Sequence, residues 1–502
     1  MSGAIGRPGR LAAGTAVAVS VAALLVLGGC ATPPPRQVLP APLTAEALGL
    51  HGQAVRAAND AWWKSLGDPQ LDALMNQALS GNPGLAQARA RLQAARAQAD
   101  AAHAGQLPSA KFSTGTTGVK VPKGFGPYLL GGRGVWFSNF GASAAWNADP
   151  WGRQADEVAA ARALSHAADL EVEDARLLLS GAVVEADLDL DRAYALADIA
   201  ASTEAQRMRV LQITRSRVAA GLDTRVELRE AEGALPQARV AMLQAQAAQE
   251  LARHQLAALT GRGADVYAGI ARPHLDPQAV LPLPQALPIN LLARRPDVIA
   301  ARARIQAADS SQRAARAAFY PTINLSALVG FASISLGDLI SAQSFGYGGG
   351  PALSLPLFDG GRLRAEYRGA EAGLAQAVAA YDDTVVGAVR QAADQISLID
   401  SLGAEQQQQR QWLDAAQEAY RLDEERYRAG LASYLSVLTA ETEVLEARRQ
   451  AVDLASARAG ARVSLLVALG GAFRPTADTA AMKFDARQPF CENCNEPTFR
   501  RN

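Results

Sequence analysis

Three cysteines and five histidines are the side chains of this chain best suited to nucleophilic or metal chemistry, and their spacing argues against both. His51, His103, His166, His254 and His274 form no pair at a metal-binding separation. No nucleophile elbow, phosphate loop or dinucleotide fingerprint occurs. Cys491-Glu492-Asn493-Cys494 has the spacing of half a zinc site, but two thiolates without two further ligands do not complete a tetrahedral shell. In an exported protein such a pair forms a local disulfide or nothing. The carboxylates read as solvated helix faces. No catalytic residue, metal ligand or cofactor is therefore assigned, and with 49 basic and 49 acidic residues there is no electrostatic footprint for nucleic acid.

The remaining cysteine, Cys30, closes the run Leu27-Gly28-Gly29-Cys30. Arg7 and Arg10 form a basic start, and Leu11 to Leu27 is almost wholly Ala, Val, Leu and Gly, with the length and flanks of a signal peptide rather than of a resident membrane helix. Two small residues after a leucine and before the cysteine resemble the lipobox of bacterial lipoproteins. That resemblance makes residues 1–29 a signal peptide and residues 30–70 a lipidated N-terminal segment, acylated at Cys30. Ala31, rather than Asp, favours sorting to the outer membrane. No later segment reaches eighteen consecutive apolar residues, so any second membrane contact is not a helix.

The elements that would position any site are duplicated. Asn82-Pro83-Gly84-Leu85-Ala86-Gln87-Ala88-Arg89 returns as Arg295-Pro296-Asp297-Val298-Ile299-Ala300-Ala301-Arg302, and Arg217-Val218-Ala219-Ala220-Gly221-Leu222 returns as Arg426-Tyr427-Arg428-Ala429-Gly430-Leu431. Repeat one covers 71–262 and repeat two 289–471, each about the size of a domain. A proline-rich connector, 263–288, separates them and a tail, 472–502, follows. Within each half the periodicity predicts helix, two strands, a very long helix and a returning helix. In the first half these are Leu71 to Gln106 with Pro83 in a first turn, Ser109 to Gly118, Val135 to Asn147, Gln154 to Ala220, and Leu222 to Leu259 with a kink at Pro236. In the second the strands are Thr322 to Ser333 and Tyr347 to Phe358, and the later helices Arg362 to Ala429 and Leu431 to Leu469. Alternating strands of roughly ten residues suit a tilted bilayer crossing. The alanine-rich rods, roughly 100 Å long, suit close packing in a larger coiled assembly.

The chain resembles outer membrane efflux proteins of the TolC family, in particular the lipidated NodT-type branch serving resistance-nodulation-division (RND) pumps. The resemblance rests on the lipobox, Trp62-Trp63, Leu66-Gly67-Asp68-Pro69-Gln70-Leu71, Arg295-Pro296-Asp297, Phe319-Tyr320-Pro321 and Phe358-Asp359-Gly360-Gly361-Arg362. It implies an α+β membrane protein: a homotrimer whose 12-stranded outer-membrane β-barrel, four strands per chain, continues into a long periplasmic α-helical barrel. The implied function is that of a passive conduit, not an enzyme, receiving drugs or other small solutes from an inner-membrane pump through a periplasmic adaptor. Physics requires the oligomer independently, because four strands leave unpaired edges in lipid, and closed barrels begin at about eight strands.

The same expectation places Ser, Thr, Asn and Gly of the strands on a wet pore, Trp136 and Trp146 at the membrane interfaces or in a core, and the loops Lys120 to Arg133 and Ser335 to Ser344 outside the cell. Gly221 and Gly430 become the turns of the periplasmic tip. By the family's pattern a tyrosine there bonds an acidic residue, and the matching positions are Tyr427 and Glu227. Ser436 and Thr439 stand where relatives carry constricting aspartates, leaving Glu230, Glu441 or Glu443 as substitutes. A periplasmic adaptor or structural lipoprotein with helical hairpins is the alternative reading. It is disfavoured by the two hairpin units and the lack of glycine-rich lipoyl halves, and a lipid-anchored hydrolase lacks a site.

Overall fold

The computed structural model describes residues 34–35, 41–50, 54, 58–120, 122, 132, 134–275, 287–288, 290–334 and 337–474. Cys30, His51, the Cys491/Cys494 tail, most of the loop 120–133 and part of the connector lie outside the described residues. The element order is α1 (Pro69–Gly81), α2 (Pro83–Ala104), β1 (Ser109–Lys120), β2 (Gly134–Ala148), α3 (Arg153–Ala219), α4 (Arg225–Leu259), α5 (Pro296–Ala317), β3 (Thr322–Ser333), β4 (Phe345–Ser354), α6 (Arg362–Arg428) and α7 (Tyr434–Ala468). Short 3-10 turns occupy Trp62–Leu66 and Tyr267–Gly269. The two halves match in length: α2 and α5 have 22 residues each, α3 and α6 have 67, and α4 and α7 have 35.

Three boundaries depart from the sequence reading. The first helix is two helices, because the backbone turns extended at Asn82, which ends α1, and the Asn82 side chain starts α2, its Oδ1 accepting from the Leu85 amide at 3.1 Å with Pro83 as the first helical residue. A separate N-cap opens α1, where the Asp68 carboxylate accepts from the Gln70 amide at 2.7 Å. Strand β4 is displaced toward the N-terminus, pairing Phe345 with Phe331 and stopping at Ser354, before Pro356, which has no amide to give the ladder. Helix α4 runs through Pro236 from its Thr224 cap.

Contacts divide the chain into two compact units that do not coincide with the repeats, since each takes residues from both. One comprises 93–166 and 302–380 and holds a four-stranded antiparallel sheet of order β1-β2-β3-β4, in which β2 of the first half pairs with β3 of the second. Gly141 and Gly330 are direct partners there, and a Cβ on Gly330 would sit 2.5 Å from the Phe140 carbonyl oxygen.

The other unit comprises 41–92, 167–301 and the chain from 381 onward, and its helices bury several apolar clusters. Trp62, Trp63, Leu71 and Met75 pack on Val183, Val184, Leu190 and Leu256. Arg295 of the Arg-Pro-Asp motif binds Asp297 through two nitrogens at 2.6 and 3.0 Å, and donates to the Ala468 carbonyl and to Gln391, each at 3.0 Å. It thereby ties the start of α5 to the end of α7 and to α6, so the motif is a structural clamp. Among the described residues no helix is long and apolar enough to cross a membrane, and no group of three or more His, Cys, Asp or Glu side chains is placed to hold a metal.

Candidate functional site

Directly paired residues share a face of the sheet, so the register sorts every strand residue. One face carries Phe112, Phe140, Phe331, Phe345 and Tyr347, with ring centroids 5.0, 6.3, 5.5 and 6.3 Å apart in turn, together with Val329, Leu325 and Leu353. The other carries Lys111, Ser113, Asn139, Ser143, Asn324 and Ser326 with many glycines, interrupted by Phe137, Leu328 and the paired Val119 and Val135. An apolar face against a polar one is the division a lipid-facing and a water-facing barrel wall require. Trp136 and Trp146 both lie on the apolar face and are 63% and 40% exposed, which removes the core-aromatic reading. They are ten residues apart along β2, about 33 Å of strand before tilt, a separation fit for two membrane interfaces. Thr114, Thr116 and Ser138, expected on the wet wall, fall instead on the apolar face. There the Thr116 and Ser138 hydroxyls, 3.1 Å apart, satisfy one another.

At the tip, α3 and α6 end alike. Gly221 and Gly430 have φ of 74° and 75°, and the Leu222 and Leu431 amides reach back to the Arg217 and Arg426 carbonyls at 2.9 and 2.8 Å, closing Schellman motifs that need a left-handed residue. The expected tyrosine–acid bond exists with a different acid. The Tyr427 hydroxyl donates to Asp223 Oδ2 at 2.9 Å, and Glu227 is not its partner. Glu227 belongs to the capping box of α4, accepting from the Thr224 amide at 3.0 Å and bonding its hydroxyl. Asp223 also takes both arms of the Arg217 guanidinium at 2.9 and 3.0 Å, and that guanidinium lies 4.5 Å from the Tyr427 ring centre. Arg217 foremost, with Tyr427, holds the Asp223 carboxyl below its usual range, whereas burial pushes the Tyr427 phenol up. The cluster is thus a partly buried, charge-assisted joint between the two halves of one chain.

The other acids expected at the tip divide. Glu230 and Glu443 are exposed, as a pore-facing acid would need to be. Glu441 is 3% exposed and paired with Arg207 at 2.8 Å, so it cannot supply an acidic ring. Burial raises its carboxyl against the lowering effect of Arg207.

A sheet with one wall for lipid and one for water, carried by paired long helices, defines the protomer of an oligomeric outer-membrane channel. The model of the family described as outer membrane efflux protein matches residues 74–262 and 287–471, and the chain belongs to that family. It is 36% identical over 372 residues to the fusaric acid resistance protein FusA of Burkholderia cepacia, covering 72% of this chain and 70% of that one. To the multidrug resistance outer membrane protein MdtP of Escherichia coli K12 it is 32% identical over 422 residues, 82% and 86% of the respective chains. The crystal structure of the outer membrane protein VceC of Vibrio cholerae superposes with a TM-score of 0.77 at 32% identity, covering 82% of this chain and 99% of that one. The protein is the outer-membrane channel component of a tripartite efflux system and not an adaptor, and its solved relatives are trimeric channels with a helical barrel and a β domain.

Proposed function

We propose that the channel rests with its periplasmic tip closed by the Tyr427–Asp223–Arg217 joint, and that it serves an RND-type pump through a periplasmic adaptor docked on that tip. The observation carrying this reading is the Tyr427–Asp223 bond, which fastens the second repeat's long helix to the turn of the first beside two left-handed glycines. Exposed Leu222, Val226, Leu431 and Leu435 surround the same turns and offer an adaptor apolar purchase. Lipid at Cys30 adds a second attachment to the barrel's own. The loops 120–133 and 335–344 face the exterior, because each joins two strands whose other ends lead into helices. The cargo is drugs or other small solutes, in line with the resistance named for its relatives.

A hydrogen bond to a charged acceptor contributes about 1.5–3 kcal/mol, enough to bias a two-state tip by tenfold or more. Tyr427→Phe with Asp223→Asn is therefore expected to raise the single-channel conductance of reconstituted trimers and to admit large antibiotics in cells lacking the pump. Glu227→Gln, which touches only the cap, is expected to leave conductance low. Unchanged conductance in heat-resistant Tyr427→Phe/Asp223→Asn trimers refutes the latch.

A further inference from the structure

Near the sheet the two halves of the chain correspond residue for residue. Ser109 pairs with Ala145 as Thr322 pairs with Ser354, an offset of 213 through the first strand of each half (109 to 322) and of 209 from the second strand onward (145 to 354). In this unit the halves meet through β2 and β3, and through α5 against the long helix α3, where Arg313 binds Asp156 at 2.8 Å and Asp309 of its own helix. On α5 the stripe Ala307, Ser310, Ala314 and Ala317 is buried, at 3, 5, 7 and 8% exposure. The positions 213 earlier on α2, Ala94, Ala97, Ala101 and Ala104, are all exposed. The long helices show the same contrast. Asp156, Ala160 and Ala163 of α3 are buried or half-buried, whereas Ala365, Gly369 and Ala372, 209 further on in α6, are exposed. β1 and β4 are likewise the two edges of the sheet. Every surface used in the junction between the halves thus has a counterpart that the single chain leaves open.

The charges of the open surfaces are exchanged relative to the closed ones. Where α5 has Asp309 and Arg313, α2 has Arg96 and Asp100. Where α3 has Asp156, α6 has Ala365, flanked by Arg364 and by Arg368 one turn further on. Asp100, Arg364 and Arg368 are exposed, and among the described residues none of them forms an ion pair. The pairs beside them are repeated unchanged, Arg362 binding Glu366 at 2.7 Å as Arg153 binds Glu157 at 3.1 Å. An acid with basic neighbours therefore stands where the closed junction has a base between acids. The small residues let helices approach closely, and the exchanged charges identify what approaches: the unlike repeat of a second copy.

We propose that α2 of one protomer lies on α6 of the next, with Asp100 facing the partner's Arg364 and Arg368, so that each junction between copies reproduces the junction within a chain with its polarity reversed. The same step brings β4 of one copy beside β1 of its neighbour. Reversal also sorts the repeats. Between two copies, α5 on α6 would set Arg313 against Arg364 and Arg368, and α2 on α3 would set Asp100 against Asp156. Like charges facing one another oppose both of these contacts between like repeats. Only alternation of unlike repeats remains, a head-to-tail contact that identical copies can close into a ring. The junction lies at the sheet end of the helices and is independent of the tip.

The test uses the full-length protein in outer-membrane fractions, with Cys491 and Cys494 changed to serine. Ala97 and Gly369 are the counterparts of Ser310 and Ala160, both buried in the closed junction. Ala97→Cys with Gly369→Cys, treated with a short bis-thiosulfonate cross-linker, is expected to give covalent dimers and trimers on denaturing gels, and either cysteine alone only monomer. Should Gly369→Cys impair assembly, Ala101→Cys with Ala365→Cys takes its place. Asp100→Arg is expected to lower the yield of heat-resistant trimers about tenfold, and Arg364→Glu/Arg368→Glu added to it to restore them. Covalent dimers that are absent while heat-resistant trimers persist, or that form equally from one cysteine alone, refute the contact of α2 with α6. Asp100→Arg trimers as abundant as the wild type, or a loss that Arg364→Glu/Arg368→Glu does not reverse, refute the exchanged charges.

Discussion

Asp187 gives a prediction whose size follows from its surroundings. It sits on α3 beside Val183, Val184, Ala186 and Leu190, the residues on which Trp62, Trp63, Leu71 and Met75 pack, and among the described residues neither carboxyl oxygen has a hydrogen-bond partner or solvent exposure. Burial, with Asp68 and Asp191 adding repulsion, raises its titration from 3.8 to about 7. A carboxyl raised in the folded state binds its proton more tightly there than in the open chain. Its contribution is therefore neutral below about pH 4, becomes increasingly unfavourable as pH rises toward 7, and is constant above that. A shift of about 3 units at 1.36 kcal/mol per unit is about 4 kcal/mol, of which about 3 falls between pH 5 and 8. Asp187→Asn removes the titration while keeping the shape. The assay is hydrogen exchange of residues 62–78, corrected for intrinsic rates, on detergent-solubilised trimers. In the wild type the opening free energy of this segment is expected to fall by about 3 kcal/mol from pH 5 to 8, and in Asp187→Asn to stay flat. Equal slopes in the two proteins refute the argument.

Palmitate labelling in cells is expected to mark the wild type and not Cys30→Ala, with the trimer still in the outer membrane through its barrel; equal labelling refutes the lipid anchor. In a background with Cys491 and Cys494 changed to serine, a hydrophilic maleimide is expected to modify Ser143→Cys on the polar wall and spare Ala142→Cys on the apolar one. The reverse pattern would turn the sheet inside out. Gly330→Val is expected to prevent assembly of heat-resistant trimers, because its Cβ would fall 2.5 Å from the Phe140 carbonyl oxygen and 2.6 Å from Gly141 Cα, both main-chain atoms that cannot yield without breaking the β2–β3 ladder.

Much of the architecture is legible because it depends on period and punctuation. The change from helical spacing to Ser/Thr/Gly alternation, and back at Asp359-Gly360-Gly361, follows from backbone geometry that side chains at those positions cannot override. Asp359 illustrates it, accepting from the Gly361 and Leu363 amides at 2.9 and 2.8 Å to start α6. The break at Asn82 was written in the Asn-Pro pair, which ends one helix and caps the next. What period alone does not supply is the face to which a small polar residue belongs. Thr116 and Ser138 look like pore residues by type, and only the register, with their mutual hydrogen bond, puts them toward lipid.

The tip acids show where sequence held more than a family pattern extracted from it. Thr224-Arg225-Val226-Glu227 has the form of a capping box, which commits the Glu227 carboxylate to its own helix start and makes it a poor partner for a distant tyrosine. With Glu227 so occupied, the acid next to the Gly221-Leu222 turn is Asp223, six residues past Arg217, and the structure joins these two to Tyr427. The same logic applies to Glu441. Tyr434, Val437, Glu441, Val444 and Ala447 recur at three- and four-residue steps and are all buried, so a glutamate in that stripe occupies a core position and needs a cation opposite. Arg207 is that cation, but it lies 234 residues away on a helix of the other repeat, and no local pattern connects the two. Spacing along one helix thus identifies which acids are unavailable to the pore, while the partner that neutralises each is decided by how the repeats pack.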